Sequence, residues 1–390
     1  MSAQEALKIS LAGEKAARLR RLALEQSTAT THWGNLQMNF NGRIFTEFND
    51  NITLLQVGPL SDIILRAQVG LEAKLPVSTH NQLELSLSGG YAKYIENPGF
   101  DRPYLLPNSR LGFDLFLTPF RLTFEDAFSY QQDSAERAVV TGTARFGGFQ
   151  NLAGVTVLHD ANRIKTTLAY HHLVFLSSTA TFRHLDRESH LFVGRLDGEI
   201  NPTLNAGLET GITPTTYQHS FLRDNLSISG GSFVRWTVSS HTSLDARVGL
   251  IAFQYVSLPG QAASSDITST YFSIETHHRL RKHLQLHIQT GRESTLGVNN
   301  DQVDLWYARP EVDWAYRLGR SLQLGLQYER GQELGSQRGE KFDRWGISCG
   351  SSWNIGKHTT TGLHYSFMNR SSELSTRNYA NHRVTFDVGF

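Results

Sequence analysis

Apolar and polar residues alternate with a period of two from about residue 33 to the end of the sequence. In "LQMNFNGRI", Leu36, Met38, Phe40 and Ile44 share one parity, and Gln37, Asn39, Asn41 and Arg43 share the other. "IILRAQVGLEAKL" repeats the arrangement, with Ile63, Leu65, Ala67, Val69, Leu71, Ala73 and Leu75 set against Arg66, Gln68, Glu72 and Lys74. A strand points successive side chains to opposite faces, so this pattern predicts strands with one apolar and one polar face. About 18 such segments follow one another: 33–48, 61–75, 81–95, 108–118, 120–131, 149–159, 162–176, 187–200, 203–217, 223–239, 242–257, 266–280, 283–296, 302–318, 321–334, 341–355, 358–371 and 378–390. Each is near the length that a membrane-crossing strand needs. No helical stretch interrupts them and no linker divides them, which predicts one all-β domain over residues 32–390.

The connections alternate in length. Tight links such as "VSTHN", "NPT", "SSHT", "RLRKH", "LGRS" and "GKHT" take turns with longer polar ones such as "IENPGFDRPYLLPN", "LPGQAASSD" and "RGQELGSQRGEK". Outer-membrane barrels have short periplasmic turns and longer external loops. The expected architecture is a single transmembrane antiparallel up-and-down β-barrel of about 18 strands, with 16 or 20 left open. Reading "RAVVTGTARF" as a strand gives 19 and puts "NPT" outside. Assigning 132–148 to an external loop restores an even number and the short-long order. None of the long loops shows an obvious sign of folding inward as a constriction.

Residues 1–26, rich in Ala, Leu, Glu, Lys and Arg, predict a short α-helix. Lys15, Arg18, Arg20 and Arg21 interrupt where a secretory leader would be apolar, so an exported protein is expected here as its mature chain. Residues 1–31 are expected to be a helix and linker on the periplasmic side. The helix would plug the pore, pack under the rim, meet a partner, or remain a solvated tail.

The apolar parity also carries the aromatics. Trp306 and Trp314 lie on one segment, and Trp345 and Trp353 near the two ends of another. Aromatics at both ends of an apolar band are the expectation for lipid-interface girdles, with membrane lipid and lipopolysaccharide outside. The opposite parity supplies the pore-lining candidates: Arg43, Arg66, Glu72, Arg121, Glu125, Arg195, Arg247, Glu275, Arg309, Asp313, Arg317 and Arg344. In a soluble sandwich that face would simply meet solvent, but a sandwich this long should contain some fully apolar core strands. The last segment alternates Val384, Phe386, Val388 and Phe390. This resembles the signal that the bacterial barrel-assembly machinery reads, and makes that machinery an expected partner during biogenesis.

Composition agrees with a wall that hides little. Hydrophobic residues make up 39% and aromatics 11%, a low aliphatic share with many rings. A net charge of +1 gives no reason to expect nucleic acid. The single cysteine, Cys349, excludes an intrachain disulfide and a cysteine metal site. No run approaches 18 apolar residues, so no transmembrane helix is expected. Among the 16 histidines, the doublets His171–His172 and His277–His278 point to opposite faces of a strand, and His159–Asp160 belongs to no catalytic motif. "GRESTLG" reads as a loop with no helix after it. No catalytic residue, cofactor or metal is expected, and no carboxylate-backed histidine cluster is apparent.

Three stretches, "FTEFNDNITLLQVGPLSDIILRAQVGLEAKLP", "FQNLAGVTVLHDANRIKTTLAYHHLVFLSS" and "INPTLNAGLETG", resemble the bacterial β-barrel porin 2 family of outer-membrane proteins. The resemblance covers roughly residues 33–390 and rests on short motifs, Asn-Asp-Asn followed by Ser-Asp-Ile-Ile among them. Some members occur beside exopolysaccharide synthesis and export systems, so the resemblance implies glycan export, with polysaccharide or export-system proteins as partners. Independently, an 18-stranded barrel leaves an aqueous channel unless something fills it. The expected function is a porin-like channel for passive passage of hydrophilic solutes. Phe253, Tyr255, Tyr271, Tyr307 and Arg309 are candidates for a sugar path, with packing inside the barrel as the plainer alternative. The mixed charges predict no strong ion selectivity, and many pairs would only cross-link neighbouring strands. The competing classes are a closed scaffold or receptor barrel, with loops 96–108, 132–148 and 335–340 as contact surfaces, and an outer-membrane hydrolase.

Overall fold

Period-two alternation has one consequence in the computed structural model: the strands join edge to edge until the first meets the last. The structure describes residues 31–390 apart from 79, 132–137, 220–223, 257–265, 298–301, 335–338 and 357. The N-terminal helix expected over 1–26 lies outside the described residues, as do parts of the loops at 132–148 and 335–340. The strands are β1 (Thr31–Trp33), β2 (Leu36–Asn49), β3 (Asp62–Pro76), β4 (Gln82–Tyr94), β5 (Arg102–Leu105), β6 (Arg110–Leu117), β7 (Phe120–Gln131), β8 (Gly148–Ala161), β9 (Ile164–Ser177) and β10 (Arg187–Asn201). They continue as β11 (Leu204–Tyr217), β12 (Asn225–Ser239), β13 (Thr242–Tyr255), β14 (Ile267–Arg281), β15 (Leu284–Leu296), β16 (Gln302–Arg317), β17 (Arg320–Leu334), β18 (Lys341–Ile355), β19 (Thr359–Ser372) and β20 (Tyr379–Gly389).

Every pairing is antiparallel, and β2 closes on β20 from Arg43↔Gly389 to Asn49↔Arg383. Two elements fall outside the simple count. β1 folds back on the start of β2, and β5 and β6 share one place between β4 and β7. The wall is therefore a closed barrel of 18 strands. Closure removes the exposed edges that would otherwise pair with other chains.

The two ends differ as the connections predict. Two-residue turns join β6 to β7, β8 to β9, β10 to β11, β12 to β13, β14 to β15 and β16 to β17, all at one end. Asn162 and Gly319 provide the positive φ that such tight hairpins demand, at 62° and 70°. The longer connections sit at the other end, where one device recurs. An aspartate accepts a hydrogen bond from the backbone N–H that ends the preceding strand: Asp101 from Tyr94, Asp186 from Ser177, Asp224 from Tyr217 and Asp266 from Tyr255.

The outward parity exposes Phe40, Ile44 and Phe48 on β2, Val248 and Leu250 on β13, and Leu324 and Leu326 on β17. Among the described residues no single central core forms. Small buried apolar clusters gather toward the long-loop end instead, and a loop segment takes part in three of them.

Candidate functional site

Residues 138–147 do not form an outer surface; they cross the lumen. Ala138 is buried with Val303, Leu305 and Phe342 of β16 and β18. Val140 and Phe146 are buried with Phe175 of β9 and Leu185. Ala144 is buried with Ile64 and Tyr94 of β3 and β4. These three arcs of the wall are far apart around the barrel, and only a segment inside it reaches all of them. The segment keeps the place between β7 and β8 that a count of 18 strands requires; what is corrected is that its described part, 138–147, serves as an outer contact surface, and that no long loop folds inward. The cause is the apolar content of Ala138, Val139, Val140, Ala144 and Phe146, which bury against inward-facing side chains rather than meet water.

Polar anchors hold the crossing in place. Arg370 on β19 donates from Nε to the Ala138 carbonyl at 3.3 Å, and its guanidinium pairs with Glu340 at 2.9 Å. Arg102 donates to the Ala144 carbonyl at 3.4 Å. Gly142 donates its N–H to the Leu54 carbonyl at 3.2 Å, which ties the crossing to a second inward loop. Asn51, Ile52, Thr53 and Leu54 of that second loop are all buried.

The Asn-Asp-Asn and Ser-Asp motifs now acquire physical roles. The Asn51 amide donates to the carbonyls of Leu55, at 2.7 Å, and Ala380, at 2.9 Å. Asn381 donates to Asn49 Oδ1 at 2.6 Å, and Asp50 accepts the His382 N–H at 2.7 Å. The motif thus sews the loop after β2 to β20. Asp62, fully buried, accepts the N–H groups of Glu96 and Asn97 and fixes the start of the next loop.

The charged candidates form hubs between adjacent strands. Glu47 holds Arg66 at 2.8 Å and Arg383 at 3.1 Å, across β3, β2 and β20. Glu329 holds Arg309 and Arg344, both at 2.6 Å, across β16, β17 and β18. Glu125 meets Arg110 at 3.7 Å and His171 at 3.0 Å, and Arg121 meets Asp114 at 2.7 Å. Arg43 lies 3.5 Å from Asp387 and shares a polar depression with Gln68, Glu72, Ser86 and Ser88. Arg247 is within electrostatic reach of Tyr271 and Tyr307. Asp313 and Arg317 are exposed toward the short-turn end. Arg344 and Arg195 are buried, Arg195 beneath the ring of Phe233 at 3.8 Å, so both back the wall instead of presenting charge to water.

Rings expected on a sugar path turn out to be packing. Phe253, Tyr271 and Tyr307 are all buried. Tyr271 lies flat against Gly249, where an added Cβ would come within 2.5 Å of its ring, and its hydroxyl donates to Glu209 at 3.2 Å. Tyr255 and Arg309 alone of that set remain partly open. On the outer face Trp306, Trp314 and Trp345 are exposed and Trp353 is partly buried. Trp314 and Trp353 stand toward the short turns and Trp306 and Trp345 toward the long loops. Val384, Phe386 and Phe390 continue that apolar surface, with Val388 partly covered.

One cluster escaped the sequence reading. The Nε2 atoms of His277 and His287 lie 3.0 and 3.1 Å from the same oxygen, Oε1 of Glu275.

No family model matches the chain, and no curated protein matches it. Solved structures do match along nearly its whole length. OccK11 (OpdR) of Pseudomonas aeruginosa is 14% identical with a TM-score of 0.53, over 91% of this chain and 96% of that one. OpdL of the same organism is 12% identical with a TM-score of 0.53, over 92% and 99%. The structure of P. aeruginosa OpdK with vanillate is 8% identical with a TM-score of 0.52, over 90% and 98%. At these identities the likeness is one of fold. With its closed 18-stranded wall, apolar outer belt and short-long order of connections, the chain is a β-barrel with the fold of these outer-membrane proteins.

Proposed function

We propose that this barrel is a diffusion channel for small hydrophilic solutes, with residues 138–147 as its constriction. The carrying observation is the contact of that segment with three separate arcs of the inner wall. An 18-stranded wall alone encloses a wide aqueous lumen. A segment across it sets a size limit suited to small molecules better than to a polymer. The link to exopolysaccharide export, and membership of the β-barrel porin 2 family, rest on the sequence resemblance alone.

Charge exposure supports a preference for anions. In the Arg43–Asp387 pair the arginine is 46% exposed and the aspartate 6%; in the Arg309–Glu329 pair the values are 41% and 1%. At these two pairs water therefore meets guanidinium donors, while their carboxylate partners lie behind them. A planar fork of donors suits small carboxylates. The OpdK structure with vanillate is compatible with this reading.

Single-channel recording in planar bilayers tests it, comparing the full chain with a variant in which residues 139–146 are replaced by a Gly-Ser segment of equal length. Discrete steps that grow in the variant, with an anion-preferring reversal potential in a salt gradient, are expected. Equal steps would remove the constriction role. Silence in both proteins would move the function to a scaffold or receptor barrel.

A further inference from the structure

Near the short-turn end of the inner wall, Glu275 and His277 of β14 lie two residues apart, and His287 of β15 stands directly opposite His277. All three have the parity of Tyr271, which faces Glu209, and the reverse of Ile274 and Leu280, which are exposed on the outer belt. We propose that Glu275, His277 and His287 bind a divalent transition metal of the zinc class in the lumen. This proposal does not depend on whether the barrel conducts.

The donor set selects the ion. Two imidazoles and one carboxylate suit zinc and its borderline neighbours, whereas magnesium and calcium require oxygen ligands throughout. The spacing fits too. With bonds of 2.0–2.1 Å, adjacent corners of a tetrahedral zinc site are about 3.3 Å apart. Here the two histidine nitrogens are 3.0 and 3.1 Å from the shared Glu275 oxygen. The imidazole rings lie parallel, centroids 4.3 Å apart and planes within 6°. Aiming both nitrogens at one ion requires a turn about χ2, a broad torsion for histidine. Their exposure, 46% for His277 and 30% for His287, leaves room for that turn and for water in the fourth position.

Carboxylates stand on both sides of the three ligands, with Arg309 one place further along one row and Arg279 two residues beyond His277. Across β13 to β16 one row runs Asp245, Glu275, Gln289, Arg309, and the next runs Ser243, His277, His287, Glu311. Side chains directly opposite each other in adjacent strands share a face, so Asp245 and Glu311 flank the three ligands. Bound there, the metal would put positive charge in the lumen with an open coordination position toward passing anions.

The test is isothermal titration calorimetry of the purified full chain in detergent, stripped with EDTA and titrated with Zn²⁺. One saturable site per chain is expected, outcompeting excess Mg²⁺. Loss of a supporting residue behind a metal ligand costs about 10–100-fold in affinity, so loss of a ligand should cost no less. His277→Ala and His287→Ala should therefore each weaken binding at least about tenfold, with His241→Ala, at a neighbouring short turn, unchanged. If either alanine variant fails to migrate as a folded barrel, His277→Gln and His287→Gln replace it, since glutamine keeps the size and a donor. Co²⁺ provides the second readout, as absorption typical of a tetrahedral site in the parent and its loss in the variants. No saturable Zn²⁺ binding, binding equal in the parent and both histidine variants, or equal affinity for Mg²⁺ would each overturn the proposal.

Discussion

The ring of Phe390 lies over Gly42, and the backbones of these two residues exchange hydrogen bonds, at 2.8 Å from the Gly42 N–H and 2.9 Å from the Phe390 N–H. This contact prolongs the β2–β20 seam by one more pair and covers a glycine with an aromatic on the lipid side. An added Cβ on Gly42 would approach the ring to 2.5 Å. Gly42→Val should therefore cost about 1–3 kcal/mol by overpacking. Gly42→Ala should cost less, because the ring can swing. In the double variant Gly42→Ala/Phe390→Ala the alanine at 42 should add almost nothing to the loss from Phe390→Ala. Urea unfolding followed by tryptophan fluorescence measures all three, and additive losses would show that the residues act independently. Phe390→Ala alone should also lower the amount of folded barrel recovered from outer membranes.

Arg370 is the anchor of the crossing segment. Its buried guanidinium meets Glu340, the Ala138 carbonyl and the Arg377 carbonyl together. Breaking a buried pair from one side costs about 3–5 kcal/mol, so Arg370→Ala should lower stability by that order. The same variant should conduct with frequent transitions between levels, because residues near Ala138 lose their hold. Quiet single-level currents from a folded Arg370→Ala barrel would mean that apolar packing alone fixes the constriction.

Glu47 sits behind two arginines. Glu47→Gln removes the charge that compensates Arg66 and Arg383 while keeping size and hydrogen bonding. The reversal potential in a KCl gradient should move further toward anions, with conductance changed little. An unchanged reversal potential would place these groups outside the ion path.

Tyr271 separates packing from recognition. Tyr271→Phe deletes one hydrogen bond to Glu209 and should cost about 1 kcal/mol. Tyr271→Ala empties the space against Gly249 and should cost about 3–5 kcal/mol. Neither should alter block of the current by added oligosaccharide. A clear change in the blocking constant for Tyr271→Phe would restore the ring to a sugar path.

Strand number, wall closure and the order of the ends were legible because they follow from a local property, the period-two alternation of residues such as Ile63 to Leu75. The lumen was not. Val139, Val140, Ala144 and Phe146 look in sequence like a short strand or an unusually apolar external loop, and their destination depends on partners such as Val303 and Ile64, far away along the chain. The histidine pairing was hidden by a bulge. A plain two-residue turn at 282–283 would set His277 opposite Ile288, on the wrong face; the register shift between Arg279 and Arg281 brings it opposite His287. Tyr271 and Tyr307 misled for another reason. Aromatics on a polar face suggest ligand stacking, but the glycines on the neighbouring strands give them a seat in the wall.

The loop sewn to β20 has a temporal consequence. Asn51 reaches the Ala380 carbonyl, 329 positions later in the chain, and its loop in turn supports Gly142 of the crossing segment. The placement of the crossing segment therefore belongs only to the finished cylinder. While β20 has yet to join β2, the segment 138–147 lacks this support, as well as its cover from β16, β18 and β19. Joining β20 to β2 therefore does two things at once: it seals the wall and fixes what lies inside it.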